Sequence, residues 1–134
     1  SWDVSSVTTM YGMFFGATSF NQDLSTWDVS SVTNMNVMFQ GASSFNGDIS
    51  NWDVSSVDNM KELFTGTSFN QDISGWDVSN VITMQAMFKS ANSFSQSLNT
   101  WNVSNVIHMN YMFEANNGFN GDISKWVVDK VTNM

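Results

Sequence analysis

Residues 27–39 read W-D-V-S-S-V-T-N-M-N-V-M-F, and close copies of this stretch recur along the whole chain. The tryptophans that mark the copies are Trp2, Trp27, Trp52, Trp76, Trp101 and Trp126. Successive tryptophans are 25 residues apart, except that the step from Trp52 to Trp76 is 24. A fixed period of this length indicates repeated units that bury their apolar faces only by stacking on their neighbours. We therefore treat residues 1–134 as one repeat domain.

The domain divides at the tryptophans. The periods are residues 2–26, 27–51, 52–75, 76–100 and 101–125, followed by a partial period at 126–134. The shortened third period loses its residue between Phe64 and Phe69, inside a small polar turn. Repeat proteins tolerate length changes in such turns, so the register of the core should survive.

The second period shows the pattern of one unit. Trp27 and Val29 alternate around Asp28, which is typical of a short strand with the tryptophan and valine facing inward. An apolar stripe with helical offsets follows and predicts a short helix or 3₁₀ segment; it consists of Val32, Met35, Met38 and Phe39. Gly41 could supply a left-handed residue at the exit of that segment. The sequence predicts an α/β solenoid of about five 25-residue coils, each with short strands and a short helix or 3₁₀ segment.

Composition restricts the partners. The chain has 42% apolar and 14% aromatic residues, enough for a continuous core, but 12 acidic against 4 basic residues give a net charge of −8. This charge repels phosphate groups, so we expect no nucleic-acid partner. The longest apolar runs are only a few residues, so we expect no direct membrane insertion in this segment. The absence of cysteine excludes disulfides and thiolate chemistry.

The chain begins and ends within a repeat motif. We expect it to be a fragment of a longer array, with any secretion signal or anchor outside it. Stacks of repeats usually need capping units to cover their end surfaces. End-to-end self-association into filaments or fibres is therefore one functional interpretation.

The blocks F-N-x-D-I-S-x-W-D-V-S-x-V-T-x-M-x-x-M-F resemble a repeat of unknown function found in mycoplasma-type surface lipoproteins, which is related to the BspA-like leucine-rich repeats. Residues 52–60, W-D-V-S-S-V-D-N-M, carry the resemblance in order, and it extends over essentially the entire chain. The resemblance implies a right-handed, leucine-rich-repeat-like solenoid that is displayed extracellularly or on the cell surface. It also implies adhesion or protein binding and brings no catalytic residues.

Nothing in the sequence indicates an enzyme. The chain has a single histidine, His108, and no phosphate-binding loop. Its two glutamates, Glu62 and Glu114, occupy different positions of the repeat, so they do not form a pair of catalytic carboxylates. We predict a non-enzymatic protein without catalytic or cofactor-binding residues.

Two rows of aspartates recur with the period. One row is Asp3, Asp28, Asp53 and Asp77, continued by Asn102, and the other is Asp23, Asp48, Asp72 and Asp122. Stacked carboxylates repel each other unless calcium or hydrogen bonds stabilise them. We favour hydrogen bonds from nearby backbone N–H groups, because no calcium-loop motif is present. Calcium remains an alternative, and with it a calcium-dependent carbohydrate-binding module.

Our leading hypothesis is a cell-surface module that binds a protein or a cell-surface glycoconjugate through a stacked polar face. The tryptophans alternate with valine and are expected in the core rather than on that face. The residues expected to line the face are Asp28, Asp53, Asp77 and Asn102.

Overall fold

The computed structural model describes residues 2–134, and within this range the chain forms neither an α-helix nor a strand longer than a single bridge residue. One residue of each period pairs in parallel with its equivalent in the next. The bridges run from Thr9 to Asn34, and on through Asn59, Thr83 and His108 to Asn133. The backbone between the bridges is a succession of turns. Each period is thus a coil of turns that lies directly on the next one.

In the segment 35–42, the backbone N–H groups bond alternately to the next period and within their own period. The N–H groups of Met35, Val37, Phe39 and Gly41 donate to carbonyl oxygens of the third period at 2.8–3.1 Å. The N–H groups of Met38, Gln40 and Ala42 close turns on the carbonyl three residues earlier, as from Met38 to Met35 at 3.1 Å. The Asn36 N–H donates to the Asn34 side chain at 2.9 Å. Half of the backbone N–H groups of this segment, which an α-helix would bond internally, therefore bond to the next period instead.

The prediction of an α/β solenoid is wrong, because the predicted helix and strands are turns. The apolar stripe at residues 32–39 is buried as expected, but Val37 has a left-handed φ of 53°, which no right-handed helix accepts. The predicted strand at residues 27–29 is cut short by turns on both sides. Ser25 and Thr26 form the turn before it, and Val32 N–H closes the next turn on the Val29 carbonyl at 2.9 Å.

The core consists of columns of equivalent side chains. Two phenylalanines of one period lie face to face, with ring centroids 3.9 Å apart for Phe39 and Phe45. Each ring also stacks on its equivalent in the next period, as Phe39 does on Phe64 at 5.9 Å. Stacked aromatic rings of this kind bury large apolar areas. The periods are consequently held together by continuous aromatic columns.

The tryptophans of the central periods belong to this core, as predicted. Trp52, Trp76 and Trp101 are at most 4% exposed. Each indole N–H donates to a backbone carbonyl 27 or 28 residues earlier in the chain, and for Trp52 the acceptor is Leu24 at 3.1 Å. Phenylalanine could fill the space but would leave that carbonyl without its indole donor. This bond, which Trp126 also makes, explains the tryptophan of these periods.

The third period compensates for its missing residue with a buried hydroxyl group. In the second period the Phe45 N–H closes a turn on the Ala42 carbonyl. In the third period Thr67 is only two residues before Phe69, too close for such a turn. Instead the Thr67 hydroxyl accepts from the Phe69 N–H at 3.4 Å and donates to the Phe64 carbonyl at 2.8 Å. The Phe64 and Phe69 rings keep their stacking distance at 4.1 Å, so the register survives as predicted.

Across the part of the chain that the structure describes, no helix is long and apolar enough to cross a membrane.

Candidate functional site

The four residues that the sequence singled out lie in one exposed row, one residue per period; they are Asp28, Asp53, Asp77 and Asn102. We call these four the aspartate row. In each one, the Oδ1 atom accepts a hydrogen bond from the backbone N–H of the serine two residues later. Asp28 Oδ1 accepts from the Ser30 N–H at 3.1 Å and from the Ser30 hydroxyl at 2.6 Å. Asn102 receives the same two bonds from Ser104, at 3.2 and 2.7 Å.

These bonds stabilise the ionised form of Asp28 and of Asp77. The Ser30 hydroxyl, followed by the Ser30 N–H, lowers the pKa of Asp28 below its ordinary value. The like charge of Asp3 in the preceding period acts in the opposite direction and is the weaker effect. The hydrogen bonds that we favoured over calcium therefore exist. They use one oxygen of each carboxylate.

The second oxygen of the row is available at the surface. Within residues 2–134, Oδ2 of Asp28, Asp53 and Asp77 accepts no hydrogen bond from the protein. The aspartates of adjacent periods thus each present one free carboxylate oxygen, and these oxygens are in register along the stack. Such an arrangement can accept hydrogen bonds from regularly spaced donors of a partner.

The second aspartate row has the same local geometry. Asp48 Oδ1 accepts from the Ser50 N–H at 3.0 Å and from its hydroxyl at 2.7 Å, and the two bonds lower the pKa of Asp48. Among the described residues, no three side chains of histidine, cysteine, aspartate or glutamate converge closely enough to hold a metal ion.

Comparison of the periods reveals a second surface, which our sequence analysis missed. Three positions of each period, all exposed or half-exposed except at the buried Ala86, differ from period to period. We call this surface the variable face. It consists of Tyr11, Gly12 and Phe15; Asn36, Val37 and Gln40; Lys61, Glu62 and Thr65; Gln85, Ala86 and Lys89; and Asn110, Tyr111 and Glu114. An alignment of the periods, position by position, would have found it.

The middle position of the variable face has a left-handed backbone. Gly12 has a φ of 62°, and its equivalents, which carry side chains, keep the same conformation: Val37 at 53°, Glu62 at 55° and Tyr111 at 62°. A left-handed residue with a Cβ atom costs roughly 1–2 kcal/mol relative to the ordinary helical region. Four residues later the chain needs the same conformation and uses glycine in three periods; they are Gly16, Gly41 and Gly66.

Both ion pairs of the described chain lie on the variable face. Lys61 Nζ is 3.5 Å from Glu62 Oε1, and Lys89 pairs with Glu114 in the next period. Hydrogen bonding and charge from Glu114 raise the pKa of Lys89. The Lys89 ammonium also lies 5.6 Å from the centre of the Tyr111 ring, within the range of cation–π attraction.

A surface cavity of about 380 Å³ opens on the variable face between the first two periods. Tyr11, Phe15, Val37 and Gln40 line it together with Gly12. The two aromatic rings are about two-thirds exposed, at 63% and 62%. Gln40 donates from Nε2 to Glu62 Oε2 at 2.6 Å, which leaves its carbonyl oxygen as an acceptor.

The ends of the stack are apolar. Trp2 is 70% exposed at one end and Met134 81% at the other. A cavity of about 290 Å³ lies at the second end beside Met112 and Trp126. End-to-end self-association stays a prediction, and these two apolar surfaces are where it would occur.

Comparison with known proteins gives one match. A family model described as "Mycoplasma protein of unknown function, DUF285" matches residues 1–100 and again residues 48–134. The two overlapping matches together extend over the whole chain. No curated protein and no solved structure matches it. The mycoplasma-type repeat part of our sequence interpretation is thus confirmed.

Proposed function

We propose, from the premise that the chain belongs to this family of mycoplasma proteins, that it is a non-enzymatic module of an extracellular or cell-surface protein and binds a macromolecular partner. The partner is a protein or a cell-surface glycoconjugate. The observation that carries the proposal is the aspartate row, in which Asp28, Asp53 and Asp77 each keep one exposed carboxylate oxygen free. A relationship to the BspA-like leucine-rich repeats is part of the same proposal. It is supported by the ordered residues W-D-V-S-x-V-T-x-M, which the first two periods carry in full and the later periods carry with substitutions.

The spacing of the row favours an extended partner. Equivalent residues of stacked backbones repeat about every 4.8 Å. An extended peptide or a sugar chain can place a donor opposite each free oxygen, whereas a small compact ligand reaches only one or two. The net charge of −8 adds long-range attraction for a partner with positive charge.

The test is a double substitution in the aspartate row, Asp53→Asn with Asp77→Asn. Asparagine keeps the Oδ1 acceptor for the following serine, as Asn102 does, so melting temperature should change little. The free carboxylate oxygens are lost, so capture of partners from panels of purified extracellular proteins and of glycans should fall.

The matched variant is Asp53→Ala with Asp77→Ala, which also removes the bonds to Ser55 and Ser79. It should lower both melting temperature and capture. Normal capture by the asparagine variant, together with reduced melting temperature of the alanine variant, would assign the row to structure alone.

A further inference from the structure

The strained position of the variable face indicates selection for its side chains. Gly12 shows that glycine fits this position, yet Val37, Glu62 and Tyr111 occupy it with left-handed backbones. Valine is especially unfavourable there, because its branched Cβ crowds the backbone. Strain that a glycine would relieve is typical of functional surfaces. The half-exposed Val37 and Glu62 and the exposed Tyr111 are therefore kept for what they present to the outside, whereas the equivalent Ala86, also left-handed, is buried.

The chain itself shows which chemistry the face accepts. At its far end the ammonium group of Lys89 lies over the Tyr111 ring and pairs with the Glu114 carboxylate. An aromatic ring together with an oxygen acceptor thus holds a cation on this face. At the near end Tyr11 and Phe15 present two exposed rings, and within residues 2–134 no lysine or arginine lies over either of them.

We infer that the variable face docks a basic segment of a partner protein, with an arginine or lysine side chain entering the cavity between Tyr11 and Phe15. The rings attract the cation through their faces, and the Gln40 carbonyl oxygen accepts one of its hydrogen bonds. The cavity of about 380 Å³ has room for such a side chain. The net charge of −8 draws a basic segment toward the surface. The face shares no residue with the aspartate row, so either surface can fail as a binding site without the other.

The experiment titrates the 134-residue chain into a labelled, short arginine–glycine peptide at physiological salt and follows fluorescence anisotropy. The variant Tyr11→Ala with Phe15→Ala removes both rings and leaves the net charge unchanged. It should weaken binding by about tenfold, as expected for the loss of two cation–π contacts. Tyr11→Phe keeps a ring face and should retain the affinity of the native chain. Both rings are mostly exposed, and thermal melting verifies that the variants remain folded.

The control for general electrostatic attraction is Asp58→Asn with Asp129→Asn, which removes two exposed negative charges outside both the aspartate row and the variable face and keeps both rings. It should change the affinity much less than the ring variant. A glutamate–glycine peptide should not bind. Unchanged affinity in the ring variant, or an equal loss in the aspartate control, would overturn the inference, because the peptide would then be responding to net charge alone. Tighter binding of a neutral aromatic peptide would also overturn it.

Discussion

At the scale of the residue, the sequence D-V-S accounts for the most regular part of the surface. The aspartate accepts hydrogen bonds from the serine two residues on, and the valine between them is buried; Asp28, Val29 and Ser30 are one example. The same geometry recurs with Asn102, whose side chain carries no charge. The repeat therefore does not require a carboxylate at this position, and the partial sixth period has Val127 there. The negative charge of the aspartates in this row is therefore available for binding a partner.

The lowered pKa of Asp28 predicts a pH dependence of stability. Its folded pKa lies below the unfolded value of about 3.9, so its contribution is present above that pH and is lost as pH falls through the folded pKa. The melting temperature of the native chain minus that of Asp28→Asn should consequently decrease as the pH falls below about 4. Thermal melting at a series of pH values measures it. A constant difference across the series would show that the carboxylate has the same pKa in both states.

At the scale of the element, the segment from residue 35 to residue 42 illustrates why turns replace the predicted helix. Its burial pattern fits a helix, and the sequence correctly predicted which side chains enter the core. Burial does not specify where the N–H groups point. Here alternate N–H groups cross to the next period, and this requires left-handed residues such as Val37 and Gly41. Gly41 was predicted to be left-handed, but Val37 carries no sequence signal for that conformation.

Two glycines test the left-handed turns. Gly41 has a φ of 74°, and an added Cβ would meet only ordinary contacts, the nearest at 3.6 Å from Gly16. Gly41→Ala should therefore lower the free energy of unfolding by roughly 1–2 kcal/mol through backbone strain. Gly75 has no left-handed φ and open space around it, so Gly75→Ala should raise stability by about 0.4–1 kcal/mol. Urea denaturation compares the two, and equal effects would contradict the assigned backbone conformations.

At the scale of the whole molecule, each period interacts mainly with its two neighbours. Aromatic columns and crossing hydrogen bonds connect adjacent periods, and even the shortened third period keeps its rings in line. Stability should then be the sum of similar units and of the interfaces between them. The number of complete periods, rather than any one of them, sets the size of the cooperative unit.

Deletion of residues 76–100 tests this organisation, because it removes one whole period and joins Gly75 to Trp101. The shorter chain should still fold, with a urea m-value lower by roughly a fifth, since less surface is exposed on unfolding. Deletion of residues 76–87 alone should abolish cooperative unfolding, because the remaining side chains fall out of register. If the half-period deletion were as cooperative as the whole-period deletion, the columns would not be the source of stability.

The sequence by itself determined the period, the members of the core and the exposed aspartate row, because repetition at 25 residues reveals which side chains must be equivalent. It also determined the family, through the match over the whole chain. Only the tertiary structure decided that the units are turns, because the choice between internal and crossing hydrogen bonds depends on the neighbouring period. An alignment of the periods identifies the variable positions, and the structure showed that they lie together on one face. That surface is defined by strained backbones and a cavity between periods, which arise only when the coils are stacked.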